Sequence, residues 1–159
     1  VLLNAGRIEA TKGDFLFYIE GATPSVAKVL QAVDNERIAV EKVLGFKPIS
    51  TREWLIKVYG SKGENLYEAL QNTIPYHDRT CEMAPSSLTY RYITEDLPFG
   101  LVPFASLGEL LKVSTPTAKA LIQIASIVNQ TDYGREGLNV EKMGLAGKSI
   151  QEIKKFLEE

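Results

Sequence analysis

A long helical repeat near the start of the chain is the feature that most constrains the fold. Thr23-Pro24 has the residue types of a helix N-cap followed by proline at the first helical position. The spacing of the apolar residues that follow, up to Gly45, predicts one helix of about 22 residues and roughly 33 Å, long enough to cross a domain. These residues recur mostly every three or four positions and are Val26, Val29, Leu30, Val33, Ile38, Val40, Val43 and Leu44.

Shorter helices are predicted in the rest of the chain. Ser50 with Glu53, and Ser149 with Glu152, have the spacing of capping boxes, and Thr115-Pro116 repeats the pattern of cap and proline. With the apolar periodicity of their surroundings, these signals predict helices over residues 50–60, 64–71, 105–113, 115–129, 139–143 and 149–157. The last helix is expected to turn Ile153, Phe156 and Leu157 inward.

Only one run is typical of a β-strand. Residues 14–20 are rich in aromatic and β-branched side chains and lie between Gly13 and Gly21. The sequence therefore predicts a mainly α, multi-helix domain with at most one strand, organised on the long helix.

Composition and charge exclude several classes of function. The 159 residues suffice for one domain with a buried core, and the formal net charge of −2 leaves no basic stripe for nucleic acid or for a membrane surface. No apolar run approaches the roughly 18 residues of a membrane span, and no signal peptide is visible. A single cysteine, Cys81, excludes an internal disulfide and agrees with a reducing compartment. We expect a cytoplasmic protein that binds neither nucleic acid nor membrane.

Two reactive residue types occur once each, in a long connection over residues 72–90. Histidine is a common acid or base in catalysis, but the neighbours of His77, which are Tyr76, Asp78 and Arg79, are those of a solvated turn. With one histidine and one cysteine the chain has too few nitrogen and sulfur ligands for a typical zinc site. We predict no metal site and no catalytic role for His77 or Cys81.

The most informative stretch for function is residues 90–104. Arg91 and the adjacent acids Glu95 and Asp96 precede an apolar run that contains Pro98, Gly100 and Pro103. The prolines and the glycine predict irregular backbone, and irregular apolar backbone beside charges is typical of the wall of an active-site cleft. Arg91 suits bidentate binding of a carboxylate, and Asp96 suits the holding of a protonated partner. The alternative is an internal ion pair between Arg91 and one of the two acids.

At this stretch the chain resembles a known family. Arg91-Tyr-Ile-Thr-Glu-Asp96-Leu-Pro-Phe-Gly-Leu-Val-Pro103 is similar to the motif of the C-terminal helical domain of the octopine/nopaline (opine) dehydrogenases. Further similar segments follow the family's order and cover essentially the whole chain: residues 3–9, 18–26, 34–37, 67–69, 105–108, 115–116 and 138–147. The resemblance implies a fold like the C-terminal domain of 6-phosphogluconate-dehydrogenase-like enzymes.

The resemblance also implies an activity and its residues. Opine dehydrogenases reduce the imine formed between an amino acid and a 2-oxo acid, using NADH or NADPH. Asp96 matches the aspartate that pairs with the catalytic histidine, and Arg91 matches a neighbouring arginine suited to a substrate carboxylate. That histidine belongs to a segment that precedes Val1 in the family.

The nucleotide site is expected elsewhere. No Gly-x-Gly-x-x-Gly follows a strand-like run in this chain, so NAD or NADP is expected to bind mainly to an N-terminal Rossmann domain that these residues lack. Residues 1–159 would then be one helical substrate and catalytic domain, inactive alone and completed by the Rossmann domain in cis or in trans.

Two other hypotheses stay open. The helical domain could serve another substrate, as in hydroxyacid, ketopantoate or glycerol-phosphate dehydrogenases. It could also be a non-catalytic dimerisation or interaction module. A homodimer is expected if the apolar face that would cover the Rossmann domain pairs two copies instead.

Overall fold

The computed structural model describes residues 1–158, and for 157 and 158 only the backbone. The chain forms two compact units: unit 1 is Val1–Asn35 with Ile49–Ile93, and unit 2 is Glu36–Pro48 with the chain from Thr94 onward. The α-helices are α1 (Ala5–Thr11), α2 (Pro24–Val43), α3 (Thr51–Tyr59), α4 (Leu66–Gln71), α5 (Arg91–Thr94), α6 (Val102–Leu110), α7 (Pro116–Asn129), α8 (Tyr133–Glu136) and α9 (Ile150–Glu158). A π-helical segment, Leu97–Leu101, precedes α6, and 3-10 turns occupy Leu2–Asn4 and Ile74–His77. The prediction of a mainly α fold is confirmed.

Unit 1 contains two clusters of buried apolar side chains. One joins α3 to α4 through Leu55, Leu66 and Leu70, with Ala22 and Ala69. The other surrounds Ile8 of α1 and Phe15, with Ala84. The predicted capping box of α3 is present, because the Ser50 Oγ accepts from the Glu53 amide and the Glu53 carboxylate accepts from the Ser50 amide.

The predicted strand over residues 14–20 is wrong. The run makes a single antiparallel bridge, Leu16 to Met83, and then turns back, with the amides of Glu20 and Gly21 both donating to the Leu16 carbonyl. The Glu20 carboxylate accepts from the Leu16 amide at 2.7 Å and from Arg7 at 2.7 Å. These bonds hold the run as a compact turn, so its aromatic residues are covered by tertiary packing instead of sheet pairing.

Unit 2 is built around one larger cluster. Its buried members are Val40, Leu44, Val140, Leu145 and Ile153, and half-buried side chains of α6 and its following turn pack on them. The long helix α2 ends at Val43, close to the predicted Gly45, which has φ +85°. The predicted short helix at 139–143 is a single turn, in which the Asn139 side chain accepts from the Lys142 amide at 3.0 Å.

The last helix, α9, follows its predicted capping box. The Ser149 amide donates to the Glu152 carboxylate at 2.7 Å, and the Glu152 amide donates to the Ser149 Oγ at 3.3 Å. Ile153 is buried as predicted, Phe156 is about half exposed at 49 %, and the side chain of Leu157 lies outside the described residues.

Thr115 lies at the predicted N-cap position of α7, but its side chain does not cap the helix. Its Oγ1 is buried without a hydrogen-bond partner. The Glu36 carboxylate takes that place, accepting from the Thr117 amide at 2.7 Å and the Ala118 amide at 3.0 Å. A residue of α2 therefore caps α7 within unit 2.

Candidate functional site

The stretch that carries the candidate residues is helical for most of its length. α5 ends at Thr94, the π-helical segment runs from Leu97, and α6 continues from Val102. The prediction of irregular backbone is corrected, because Pro98 and Pro103 lie in the first turns of the π-helical segment and of α6, where an amide is not required. The run is also only partly buried, since Leu97 and Pro98 are buried while Phe99 is 66 % exposed.

The π-helical segment is fixed by three backbone bonds. At its start, the Phe99 amide donates to the Glu95 carbonyl at 3.0 Å, and at its end the Val102 amide donates to the Leu97 carbonyl. The third bond comes from outside, where the Leu138 amide donates to the Pro98 carbonyl at 2.8 Å. Short π-helical segments inside helices are frequent at functional sites.

Asp96 immediately precedes this segment, as its N-cap residue. Its backbone is helical, with φ −65° and ψ −29°, and its side chain does not cap the segment. The side chain is exposed and belongs to unit 2. The carboxylate is therefore accessible to solvent in this unit.

Arg91 begins α5 and belongs to unit 1. Arg91 is exposed. It lies between two packed tyrosines: the ring centroids of Tyr90 and Tyr92 are 5.0 Å apart in an edge-to-face contact, and Tyr92 stacks on Phe17 at 5.6 Å. Arg91 and Glu95 each have an interaction partner. The ion pair of Arg91 with Glu95 or Asp96 stays a prediction, and the side chains of all three residues are exposed.

Sequence analysis missed a row of aromatic side chains in unit 1. Ring centroids between 4.3 and 5.8 Å apart link the rings in the order Trp54, Tyr59, Tyr76, Tyr18, Phe17, Tyr92 and Tyr90. Burial, with smaller effects from Tyr59 and Glu82, raises the pKa of Tyr76 to about 12. The aromatic content of residues 14–20 was the signal, but it was assigned to a strand. The row ends at the two tyrosines that flank Arg91.

His77 and Cys81 are both exposed in unit 1. His77 Nε2 lies 2.9 Å from the Gln71 carbonyl oxygen, which can only accept, so this nitrogen carries the proton. Burial and the neighbouring Asp78 raise the pKa of the Cys81 thiol, which makes it less reactive. Within residues 1–158, no three histidine, cysteine, aspartate or glutamate side chains are placed to hold a metal ion.

Unit 2 also has an open cavity of about 540 Å³ between α6, α7 and residues 139–147. Its charged lining includes Glu109 and Lys119, whose carboxylate and ammonium are 2.5 Å apart. Because these charges already pair with each other and Asp96 is not part of the lining, the cavity is not the candidate site.

The fold of the chain is similar to that of part of a solved dehydrogenase. A solved structure of octopine dehydrogenase with NADH and L-arginine matches with a TM-score of 0.61 at 22 % identity, over 93 % of this chain and 46 % of that chain. Residues 1–129 match the family described as NAD/NADP octopine/nopaline dehydrogenase, alpha-helical domain, and the chain belongs to this family. The predicted family and the predicted fold are confirmed.

Curated relatives extend the match. The opine dehydrogenase of Arthrobacter sp. (strain 1C) is 38 % identical over 157 residues, which are 99 % of this chain and 43 % of that protein. The D-nopaline dehydrogenase of Agrobacterium vitis is 29 % identical over 118 residues, 74 % of this chain and 28 % of that protein. The chain therefore spans less than half the length of these relatives. No helix within residues 1–158 is long and apolar enough to cross a membrane.

Proposed function

We propose that the chain is the substrate-binding helical domain of an NAD(P)H-dependent opine dehydrogenase. The enzyme would condense an amino acid with a 2-oxo acid and reduce the resulting imine, acting on a CH–NH bond. Membership of the family over residues 1–129 carries this proposal. The 38 % identity to an opine dehydrogenase, over 99 % of this chain, supports the same class of reaction.

Asp96 is proposed as the catalytic carboxylate of this chain. Imine reduction requires a proton donor near neutral pH, and a histidine from the segment that precedes this chain in the family would supply it. An adjacent carboxylate favours the protonated imidazole, so it raises the pKa of the histidine and fixes its orientation. The exposed position of Asp96 at the start of the π-helical segment leaves its side chain accessible for that contact.

Arg91 is proposed to bind a substrate carboxylate. A guanidinium presents two parallel N–H groups to a carboxylate, and both the amino acid and the 2-oxo acid carry one. The packed tyrosines on either side of Arg91 would hold its backbone in place while the side chain remains exposed.

The dinucleotide site is proposed to lie in another domain. Such a site uses a strand, a glycine-rich turn and a helix, and residues 1–158 contain no strand beyond the Leu16–Met83 bridge. We propose that NAD or NADP binds mainly to an N-terminal Rossmann domain, in cis or in trans. The 159 residues alone are then one domain without dehydrogenase activity, in a protein we expect in the cytoplasm.

The test is an oxidation assay of NADH and NADPH with a panel of amino acids and 2-oxo acids. The full-length protein is expected to require both substrates, and the isolated chain is expected to be inactive. Turnover with a 2-oxo acid or another carbonyl substrate alone would favour a hydroxyacid, ketopantoate or glycerol-phosphate enzyme. Absence of any turnover by the full-length protein would favour the non-catalytic module. Sedimentation of the purified protein then tests whether this module forms a homodimer.

The site is tested with matched variants of the full-length protein. Asp96→Asn keeps the size of the side chain and removes the charge, so kcat should fall by about 100-fold or more. Glu141→Gln is the control, because Glu141 is an exposed acid of the same unit. Arg91→Lys should raise the KM of a substrate by about tenfold, with Arg135→Lys as its control. Equal kcat for Asp96→Asn and the unmodified enzyme would reject the assignment.

A further inference from the structure

The carbonyl of Pro98 cannot be satisfied within its own helical segment. The Val102 amide, which would reach it in an α-helix, donates to Leu97 instead. The next candidate, five residues on, is Pro103, and proline has no N–H. A buried carbonyl without a donor is costly, so a partner from outside is required. The Leu138 amide is that partner, at 2.8 Å.

Gly137 permits this approach. A Cβ at this position would lie 2.7 Å from the Tyr133 carbonyl oxygen, 2.8 Å from Val102 Cγ1 and 2.9 Å from the Pro98 carbonyl oxygen. Two of these three atoms are backbone, which cannot rotate away as a side chain does. The φ of Gly137 is −68°, which any residue adopts, so the need for glycine here is one of space.

We propose that Gly137 and the Leu138 amide are positioning groups for Asp96. They hold the carbonyl of Pro98, two residues after Asp96, and so fix the π-helical segment whose N-cap residue is Asp96. This inference rests on the proposed function, in which Asp96 orients the proton donor. A methyl group at Gly137 pushes the segment away and with it the carboxylate.

The first test compares Gly137→Ala with Gly134→Ala in the full-length enzyme. Gly134, in the short helix α8 that ends just before Gly137, is the matched control, because a Cβ there meets only Asp132 Oδ1, at 3.6 Å. For Gly137→Ala, kcat should fall by about 10- to 100-fold, the effect of misplacing a catalytic group by a fraction of an ångström to 1 Å. The KM values should stay within about twofold.

The pH profile separates positioning from general damage. A correctly placed Asp96 raises the pKa of the proton donor, and reductive turnover falls as pH rises through that pKa. Gly137→Ala should therefore move the fall in kcat to lower pH, in the same direction as Asp96→Asn. A lower kcat with an unchanged profile would mean a structural role only and would overturn the inference.

A double-mutant cycle tells failure of this inference from failure of the proposed function. If Gly137 acts through Asp96, adding Gly137→Ala to Asp96→Asn should lower kcat no further. If the losses in kcat of the two single variants multiply in the double variant, the positioning role is rejected, but the catalytic role proposed for Asp96 is retained. If Asp96→Asn alone has unmodified activity, the proposed function of the site fails first.

A second pair of variants covers the case in which Gly137→Ala does not fold. Leu138→Pro deletes the amide donor, and Gly137 at φ −68° and ψ 170° already has the conformation that precedes a proline. Leu138→Ala keeps the donor and is the control for the lost side chain. Only Leu138→Pro should shift the pH profile. Unfolding of both Gly137→Ala and Leu138→Pro would assign the contact to stability and reject the proposal.

Discussion

Two helices of this chain begin with the same dipeptide and are capped in different ways. At the start of α2, the Thr23 Oγ1 accepts from the Val26 amide at 3.4 Å, as a threonine N-cap should. At the start of α7, the hydroxyl of Thr115 has no partner, and the side chain is 1 % exposed. The first turn of α7 is capped instead by the carboxylate of Glu36.

The difference shows which part of a helix start is local. The proline fixes the first helical residue in both cases, so both boundaries were predictable from Thr-Pro alone. Which group satisfies the first amides depends on what the rest of the fold brings there. A charged acceptor with two bonds is stronger than one hydroxyl, so where Glu36 is available the threonine is not needed as a cap.

Among the substitutions that test this difference in capping, Glu36→Ala is expected to change the free energy of unfolding most. It removes both acceptors from the first turn of α7, so the free energy of unfolding should fall by about 2 to 3 kcal/mol. Glu41→Ala is the control on the same helix, since its ion pair with Arg37 is about one third exposed on both sides and should matter by less than about 0.5 kcal/mol. Urea unfolding measures both, and equal losses would mean that Glu36 is not the cap of α7.

The segment Asp34-Asn-Glu36-Arg37 shows where prediction from sequence stopped. It was recognised as a family segment, but its purpose needs the fold: Asp34 accepts from the Thr51 amide and hydroxyl at the start of α3, both at 2.8 Å, while Glu36 serves α7. The capping boxes of α3 and α9, by contrast, were predictable because both partners lie three residues apart.

In the candidate site, too, some features are predicted by a local motif and others depend on distant residues. The roles of Asp96 and Arg91 stay predictions from their local motif. The prolines and the glycine predict irregular backbone, whereas the π-helical segment also depends on a bond from Leu138, far along the chain. The run at 14–20 failed for a related reason. Its aromatic and β-branched residues predict a strand, and the side-chain bonds of Glu20 that turn it back are not visible in a hydrophobic pattern.

A smaller change in the free energy of unfolding is expected at the start of α2, where the threonine side chain does cap the helix. Thr23→Ala removes the acceptor from the first turn of α2, and the bond is long at 3.4 Å, so the loss should be about 0.5 to 1 kcal/mol. Thr23→Ser keeps the hydroxyl and is the matched control. A loss larger than that of Glu36→Ala would reverse the comparison.

The capping box of α3 is a third way of capping the first turn of a helix, and its effect can be measured in the pKa of Glu53. The amide and hydroxyl of Ser50 lower the pKa of Glu53 from its ordinary value of 4.5. The pKa of Glu53 is lower in the folded state than in the unfolded state. The capping box therefore stabilises α3 at pH values above the ordinary pKa, and this stabilisation is lost as pH falls through the lowered pKa. Ser50→Ala should return the pKa of Glu53 towards 4.5 in an NMR titration, and Thr51→Ala, beside it, should leave this pKa low.

The smallest effect, and the one with the opposite sign, is expected at Thr115. Its Oγ1 is buried without a partner, whereas its Cγ2 packs so closely that a Cβ on Gly108 would lie only 2.7 Å from it. Thr115→Val keeps the shape and removes the unsatisfied hydroxyl, so the free energy of unfolding should stay equal or rise by up to about 1 kcal/mol. Thr115→Ser keeps the hydroxyl and loses the packed methyl, which should cost about 1 kcal/mol. If valine destabilises the chain as much as serine does, the hydroxyl is capping α7 after all, and the two Thr-Pro starts are alike.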